Sequence, residues 1–354
     1  MRLLYDIIIR VLMLTIKLAS LFSAKAYLWV QGRKDWREQL KSTVKSPKSN
    51  VLWVHAASLG EFEQGRPIIE AFRERFPDWK IVLTFFSPSG YEVRKDYPHA
   101  DLVCYLPADT RQNARDFLDI IQPDVAVFVK YEFWANYLFE LKKRGITTLL
   151  VSALFRPTQP FFKWYGGFWR KMLGCFTHIF VQNEASATLL QDLTIPKGSG
   201  LSNLVTVAGD TRVDRVLKIA ESAPENEIVQ AFVGKDSSQV LVVGSSWEAD
   251  ETVIFAAMND TPTKPKLIIA PHEPTESNVQ RICKQAGNAI RYSQSDGMTQ
   301  SHSENTCLII DNIGLLNTLY RYGTVAYIGG GFGKDIHNTL EPAAFGLPDR
   351  KSVV

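Results

Sequence analysis

The chain has 354 residues, 45% of them hydrophobic and 22% charged, with a formal net charge of +3. This length leaves room for two cores, the composition excludes a disordered or low-complexity chain, and the charge is too small to point to nucleic acid. The four cysteines, Cys104, Cys175, Cys283 and Cys307, lie far apart without a CxxC pair and read as reduced core thiols of a reducing compartment.

Residues 3–22 are apolar but interrupted by Asp6, Arg10 and Lys17, which does not suit a cleaved signal peptide. On a helix Arg10 and Lys17 fall within about 40° of Asp6, so the charges share one face and the remainder is apolar. This pattern predicts a helix lying in a membrane interface, with a single spanning helix and a core helix of the first domain as the alternatives. Between 25 and 48 follow Lys25, Arg33, Lys34, Arg37, Lys41, Lys45 and Lys48 against only Asp35 and Glu38, a basic collar. Trp29 and Trp36 are expected at the lipid headgroups beside it.

From residue 51 short apolar runs alternate with helical patterns. Strands are predicted at 51–55 (VLWVH), 81–85, 101–106, 125–129, 148–152, 178–182 and 205–208, with helices at 62–76, 111–121 and 134–144 and a turn, SPSG, at 87–90. A charged helix over 212–220 ends this half, and 224–236 reads as a boundary region. Further strands are predicted at 240–243, 266–270, 307–310 and 325–328. The rhythm is that of two α/β, Rossmann-like domains in series, each a parallel sheet with helices on both faces. Ligands of such domains bind at the C-terminal ends of strands, and the expected place is the cleft between the two.

The residues that can carry chemistry sit at those strand ends. Glu61 follows the loop ASLG at a helix N-terminus, where a carboxylate is either a helix cap or a general base. Lys130 and Glu132 follow the 125–129 strand in KYEFW, and Arg212 lies in GDTRVD, where its fork suits an anion. In the second half, glycine turns at 244 and 329–331 can present backbone amides to phosphate. Glu341, in HNTLEPA, is either a ribose hydroxyl acceptor or the N3 partner of an Asn338 cap. No HExxH, GxSxG or Walker phosphate loop occurs, and no histidine spacing predicts a metal.

Taken in order, HAASLGE at 55–61, SPSG at 87–90, YEFWAN at 131–136, QNE at 182–184, GDTRVD at 209–214 and GGGFGKDIHNTLEPAAFGLP at 329–348 resemble the Kdo (3-deoxy-D-manno-octulosonic acid) transferases of lipopolysaccharide biosynthesis. The resemblance implies a GT-B fold and inverting transfer from CMP-Kdo to a lipid A precursor at the cytoplasmic face of the inner membrane. It implies no cofactor or metal and no nucleic-acid partner. It places the general base on Glu61, supporting catalytic roles on Glu132 and Lys130, and the cation near the leaving phosphate on Arg212. The CMP contacts fall on Pro271 and His272, on Ile313, Gly314 and Leu315, and on Asn338, Thr339, Leu340 and Glu341. Many relatives carry an acid at the position of Lys130 and Arg at that of His272.

The implied organisation is a membrane-associated helix and collar over 1–48, an acceptor-binding domain over 49–220 and a CMP-Kdo-binding domain over 221–348. The resemblance stops at Pro348, where relatives continue with a strand and several helices. The last six residues, DRKSVV, are what the opening of a common short-read sequencing adapter encodes. Residues 349–354 are therefore expected to be a non-native tail, the second domain incomplete, the edge of the 325–328 strand uncovered and this chain inactive in transfer. Two rival readings remain: a UDP-sugar GT-B transferase or epimerase, which UDP rather than CMP would occupy, and a membrane-attached binding protein without catalysis.

Overall fold

A computed structural model describes residues 1–43, 49–193, 204–234, 239–262, 264–295, 306–332 and 337–351. The chain forms two compact units, Met1–Arg212 and Val213–Val354. The boundary read from sequence, at 220/221, lies just beyond this division.

The first unit opens with three helices, α1 (Arg2–Ala19), α2 (Ala24–Gln31) and α3 (Trp36–Thr43). Then come β1 (Val51–Ala56), α4 (Leu59–Arg75), β2 (Lys80–Phe85), α5 (Pro88–Arg94), β3 (Leu102–Tyr105), α6 (Arg111–Ile121), β4 (Val125–Val129) and α7 (Ala135–Lys143). The unit closes with β5 (Thr147–Ala153), α8 (Gly167–Leu173), β6 (His178–Val181), α9 (Glu184–Gln191) and β7 (Val205–Val207). All pairs are parallel, in the order β3-β2-β1-β4-β5-β6-β7. Every residue of β1 is buried, as a strand with helices on both faces requires. Its side chains alternate: Trp53 joins the cluster of Phe117, Phe128 and Tyr137, while Leu52 and Val54 join that of Phe62, Ile69 and Leu83. The strand order reverses between β1 and β4, which makes their C-terminal ends the switch point of this sheet.

Helix α10 (Thr211–Ser222) leads into the second unit, which contains α11 (Glu227–Val233), β8 (Val240–Ser246), α12 (Glu248–Asp260), β9 (Lys266–Pro271), α13 (Glu276–Ala286) and β10 (Ala289–Arg291). It continues with β11 (Cys307–Ile309), α14 (Leu316–Leu319), β12 (Val325–Ile328), α15 (Leu340–Ala344) and β13 (Asp349–Lys351). Its sheet is also parallel, ordered β10-β11-β9-β8-β12-β13. The switch point lies between β8 and β12. Val240 and Val242 face one core cluster and Val243 the other. Cys175 and Cys307 are buried; Cys104 and Cys283 are partly so.

Several expectations are corrected. Trp29 and Trp36 are each only 8% exposed, so neither is free for a headgroup. Trp36 packs on Phe117, and Trp29 packs edge-on against Phe86. An indole reads alike in a headgroup layer and at a core margin, because both offer an apolar body with a polar handle. The basic collar is partly folded in as well: Arg33 donates to the carbonyls of Leu106, Trp29 and Phe86, and Arg37 pairs with Asp116 at 2.7 Å. The boundary region at 224–236 holds α11, whose Val229 and Phe232 are buried in the core. SPSG is the start of α5, with the Ser87 hydroxyl accepting from the Ser89 amide. The residues after Pro348 do supply a strand: β13 pairs with β12 through Ala326↔Asp349, Tyr327↔Arg350 and Ile328↔Lys351. A parallel ladder is made by backbone groups, so side-chain pattern alone does not forbid it.

Candidate active site

In the first unit the predicted residues gather at the ends of β1, β4 and β5. Glu61 lies in the first turn of α4, whose N-cap is Ser58. The Ser58 hydroxyl donates to the Glu61 carboxylate and makes no cap to the backbone. The carboxylate is thus held by one hydroxyl at the positive end of a helix, and it remains only half-buried. Glu132, after β4, is buried: Trp134 Nε1 donates to its Oε2 at 2.6 Å, and His55 Nε2 lies 3.1 Å from the same oxygen. His55 is the penultimate residue of β1, and its Nδ1 faces the Thr84 hydroxyl at 2.9 Å, which in turn accepts from Trp53 Nε1 at 2.8 Å. With Nε2 carrying the proton, the network runs from Trp53 through Thr84 and His55 into Glu132; with Nδ1 carrying it, His55 donates to the Thr84 carbonyl at 3.1 Å and Nε2 accepts from Trp134 Nε1 at 3.0 Å.

Lys130 adopts φ +66°, a left-handed conformation that L side chains seldom take. Its amide completes the ladder to Val151 O at 2.9 Å, and its ammonium lies 5.2 Å from the Tyr131 ring centroid. This kink ends β4 and sends Tyr131 and Glu132 into the loop. Arg212 is committed to Asp210, with Nη2 at 2.6 Å and Nε at 3.1 Å. Burial alone would raise Asp210, but hydrogen bonds from Arg212 outweigh it and hold the carboxyl below its ordinary value. An anion approaching Arg212 would share the guanidinium with Asp210. The same segment is fastened to α4: the Thr211 hydroxyl donates to Gln64 O and meets the Ser152 hydroxyl at 2.8 Å. Glu61 and Arg212 are therefore tied to one local framework, whereas Glu132 belongs to the His55 network.

In the second unit a cavity of about 320 Å³ opens at the β8/β12 switch point. It is lined by Ser245, His272, Gly314, Asn317, Asn338 and Glu341, among others. Four of the residues expected to contact the nucleotide thus line one cavity. Pro271, Ile313, Leu315, Thr339 and Leu340 flank it in sequence without lining it, and the Ile313 side chain is 89% exposed. The N-cap of α15 is Thr339 rather than Asn338. Asn338 instead accepts from the Leu340 amide and donates to Glu341 Oε1, both at 3.1 Å, which fixes that carboxylate at the cavity wall.

Two glycines let the strand ends approach. A Cβ on Gly329 would meet Ser245 O at 2.4 Å and Asp250 Oδ2 at 2.8 Å; one on Gly244 would meet the Tyr320 hydroxyl at 2.1 Å. Asp250 is fully buried and joins the turns after β8 and β12, accepting from the amides of Trp247 and Gly330 and from the Tyr327 hydroxyl. Above the cavity Trp247, His272 and His337 form a stack with centroid spacings of 4.6 and 4.4 Å. Burial, reinforced by His272, pushes His337 below the ordinary imidazole range. Asn317 Oδ1 is buried without a hydrogen-bond partner.

His55, Asp250 and Asn317 were not singled out from sequence. His55 reads as one more residue of an apolar strand, and Asn317 sits in an ordinary helical stretch. Asp250 did leave a signal, an acid three residues after the N-cap position of a helix. Among the described residues no group of three His, Cys, Asp or Glu side chains converges as a metal site.

Two doubly wound parallel sheets, each with polar side chains at its switch point, define the class: an α/β protein of two Rossmann-like units. Solved structures share this fold. UDP-GlcNAc 2-epimerase from Methanocaldococcus jannaschii superposes with a TM-score of 0.52 at 18% identity, covering 85% of this chain and 83% of that one. The enzyme of the same name from Neisseria meningitidis gives 0.51 at 17%, covering 80% and 78%. The family is defined by sequence: a model described as 3-deoxy-D-manno-octulosonic-acid transferase (kdotransferase) matches residues 34–215, and the chain belongs to that family. Curated relatives carrying the name 3-deoxy-D-manno-octulosonic acid transferase include those of Rickettsia felis, 28% identical over 308 residues, and Haemophilus influenzae, 25% identical over 313. These alignments cover 84% and 85% of this chain, and 62% and 70% of the relatives' own length.

Proposed function

We propose that the chain is an inverting glycosyltransferase of the GT-B type that moves Kdo from CMP-Kdo to a hydroxyl of a lipid A precursor. The observation that most supports this reading is the cavity at the β8/β12 switch point, whose wall includes His272, Gly314, Asn338 and Glu341. The Glu341 carboxylate accepts from ribose hydroxyls there, and amides of the glycine turns face the phosphate. Glu61 takes the proton from the acceptor hydroxyl. The new C–O bond forms at the anomeric carbon of Kdo as the bond to the phosphate oxygen breaks, and CMP departs with that electron pair. Arg212 and backbone amides offset the developing charge, so the step is assigned no metal. Glu132, locked by His55 and Trp134, and Lys130 shape the acceptor side.

The acceptor is an amphiphile, and α1 suits its surroundings. Leu3, Leu4, Ile7, Ile8, Val11 and Leu14 are each between 50% and 71% exposed, an apolar face with no cover among the described residues. No described helix is long and apolar enough to cross a membrane. In this reading the exposed apolar face of α1 rests on the cytoplasmic face of the inner membrane and keeps the enzyme at its acceptor.

The test is a transfer assay with CMP-Kdo and a lipid A precursor, on this chain and on a version continued after Pro348 with a relative's sequence. The continued version is expected to form the Kdo-lipid and to be inhibited by CMP but not UDP. No transfer by either version, or inhibition by UDP alone, would remove this reading.

A further inference from the structure

Helix α1 is held to the first unit by polar contacts on one side. Tyr5 donates to Asp109 at 2.5 Å, Arg2 reaches Asn136 at 3.3 Å, and Asp6 bonds both Asn136, at 3.0 Å, and Arg111, at 2.7 Å. Beside these contacts a groove of about 520 Å³ runs along the start of α6. Leu3 and Ile7 form its apolar wall, and Arg10, Arg111 and Arg115 its cationic one. Asp6 is the single carboxylate among the lining residues, and its two oxygens are already taken by Arg111 and Asn136. Arg10 and Arg115 are exposed and pair with no carboxylate among the described residues. The first turn of α6 also opens here through Thr110, Arg111 and Gln112, adding the positive end of a helix dipole.

We propose that this groove is a binding site for the phosphate of an anionic lipid headgroup. The charge requires an anion, and the apolar wall, continuous with the exposed face of α1, requires that the anion carry acyl chains. Phosphate fits between Arg10 and Arg115 as a shared acceptor for two forks. The acyl chains continue along Leu3 and Ile7 into the bilayer. The site rests on the reading that α1 lies on a membrane. It adds that α6, which that reading does not need at the surface, supplies part of the headgroup contact.

The test is co-sedimentation of the whole chain with vesicles of phosphatidylcholine, with or without phosphatidylglycerol. Arg115→Gln should weaken binding to the anionic vesicles about fivefold, and Arg10→Gln with Arg115→Gln roughly 25-fold, from about 1 kcal/mol per basic residue near the surface. Binding to pure phosphatidylcholine should be unchanged by either, and Arg115→Lys should retain most of the anionic affinity. Ile7→Ser should weaken binding to both vesicle types, which reports on the α1 reading separately. Glycerol phosphate, lacking chains, should not displace the protein. Wild-type affinity of the double variant for anionic vesicles would overturn the site. So would displacement by glycerol phosphate, which would mark a soluble-phosphate site, or a dimer that buries α1 and dissociates on Ile7→Ser.

Discussion

His55 Nε2 lies 3.1 Å from Glu132 Oε2, joining the C-terminal end of one central strand to the loop after its neighbour. Both residues are buried, so the carboxylate is solvated by His55 and Trp134 in place of water. A buried carboxylate that loses such a donor keeps its desolvation cost without compensation. His55→Ala is therefore expected to destabilise the first unit by about 1–3 kcal/mol and to lower transfer in the version continued after Pro348. His55→Gln, which retains a donor, should recover part of both. Urea unfolding midpoints beside initial transfer rates check this; an unchanged midpoint in His55→Ala would remove the buried pair from the account.

In the version continued after Pro348, Glu61→Gln should reduce transfer by about 10²–10⁴ while leaving CMP affinity unchanged, because Glu61 and the cavity proposed for the nucleotide belong to different units. Ser58→Ala separates cap from base: it deletes the one hydroxyl on the carboxylate and should alter the pH profile of kcat more than stability. Near-wild-type turnover in Glu61→Gln would reduce Glu61 to a helix-terminal charge.

Gly329→Ala tests the close approach of the turns after β8 and β12. The added Cβ would lie 2.4 Å from a backbone carbonyl, a contact no side-chain rotation relieves. A loss of about 1–3 kcal/mol and of CMP binding is expected, read from Tm and from isothermal titration. A variant that binds CMP normally would show that the glycine turn is not part of the nucleotide site.

Asp109 couples α1 to pH. Burial pushes its carboxyl up to about 6, against hydrogen bonds from Tyr5 and the amides of Asn136 and Tyr137 that favour the ionised form. The folded pKa exceeds the unfolded value of about 3.9. Its stabilising contribution is therefore complete below the unfolded pKa and is lost as pH rises through about 6. The first unit should accordingly gain on the order of 2 kcal/mol from this group between pH 7 and pH 4, and Asp109→Asn should flatten that slope. Thermal melts across this range check the sign; a slope unchanged by Asp109→Asn would contradict it.

The fold was legible wherever strands are buried on both faces, because runs such as VLWVH and VAVFV admit no amphipathic helix. It was illegible at the margins. Strand β10 has three half-buried residues at a sheet edge, too short for any periodicity. The collar of Arg33 and Arg37 looks solvated in sequence, yet backbone carbonyls and Asp116 take up its donors. At the candidate site, glycine turns and acids after strands pointed to strand ends that the fold places at its two switch points, where parallel sheets bind ligands. What sequence could not supply was pairing: that Glu132 is locked by His55, that Arg212 is engaged by Asp210, or that His272 stacks between Trp247 and His337. The His55–Glu132 and His272 contacts join residues far apart in the chain and leave no local pattern, and Asp210 and Arg212, only two residues apart, sit in a motif whose spacing alone does not specify a pair.

The most direct measurement of the central claim is equilibrium binding of CMP to this chain, with UMP as competitor and with the Glu341→Ala and Glu61→Gln variants alongside. The account predicts saturable CMP binding that UMP does not match, that Glu341→Ala weakens at least tenfold and that Glu61→Gln leaves intact. Equal affinity for UMP, or CMP binding indifferent to Glu341→Ala, would contradict it.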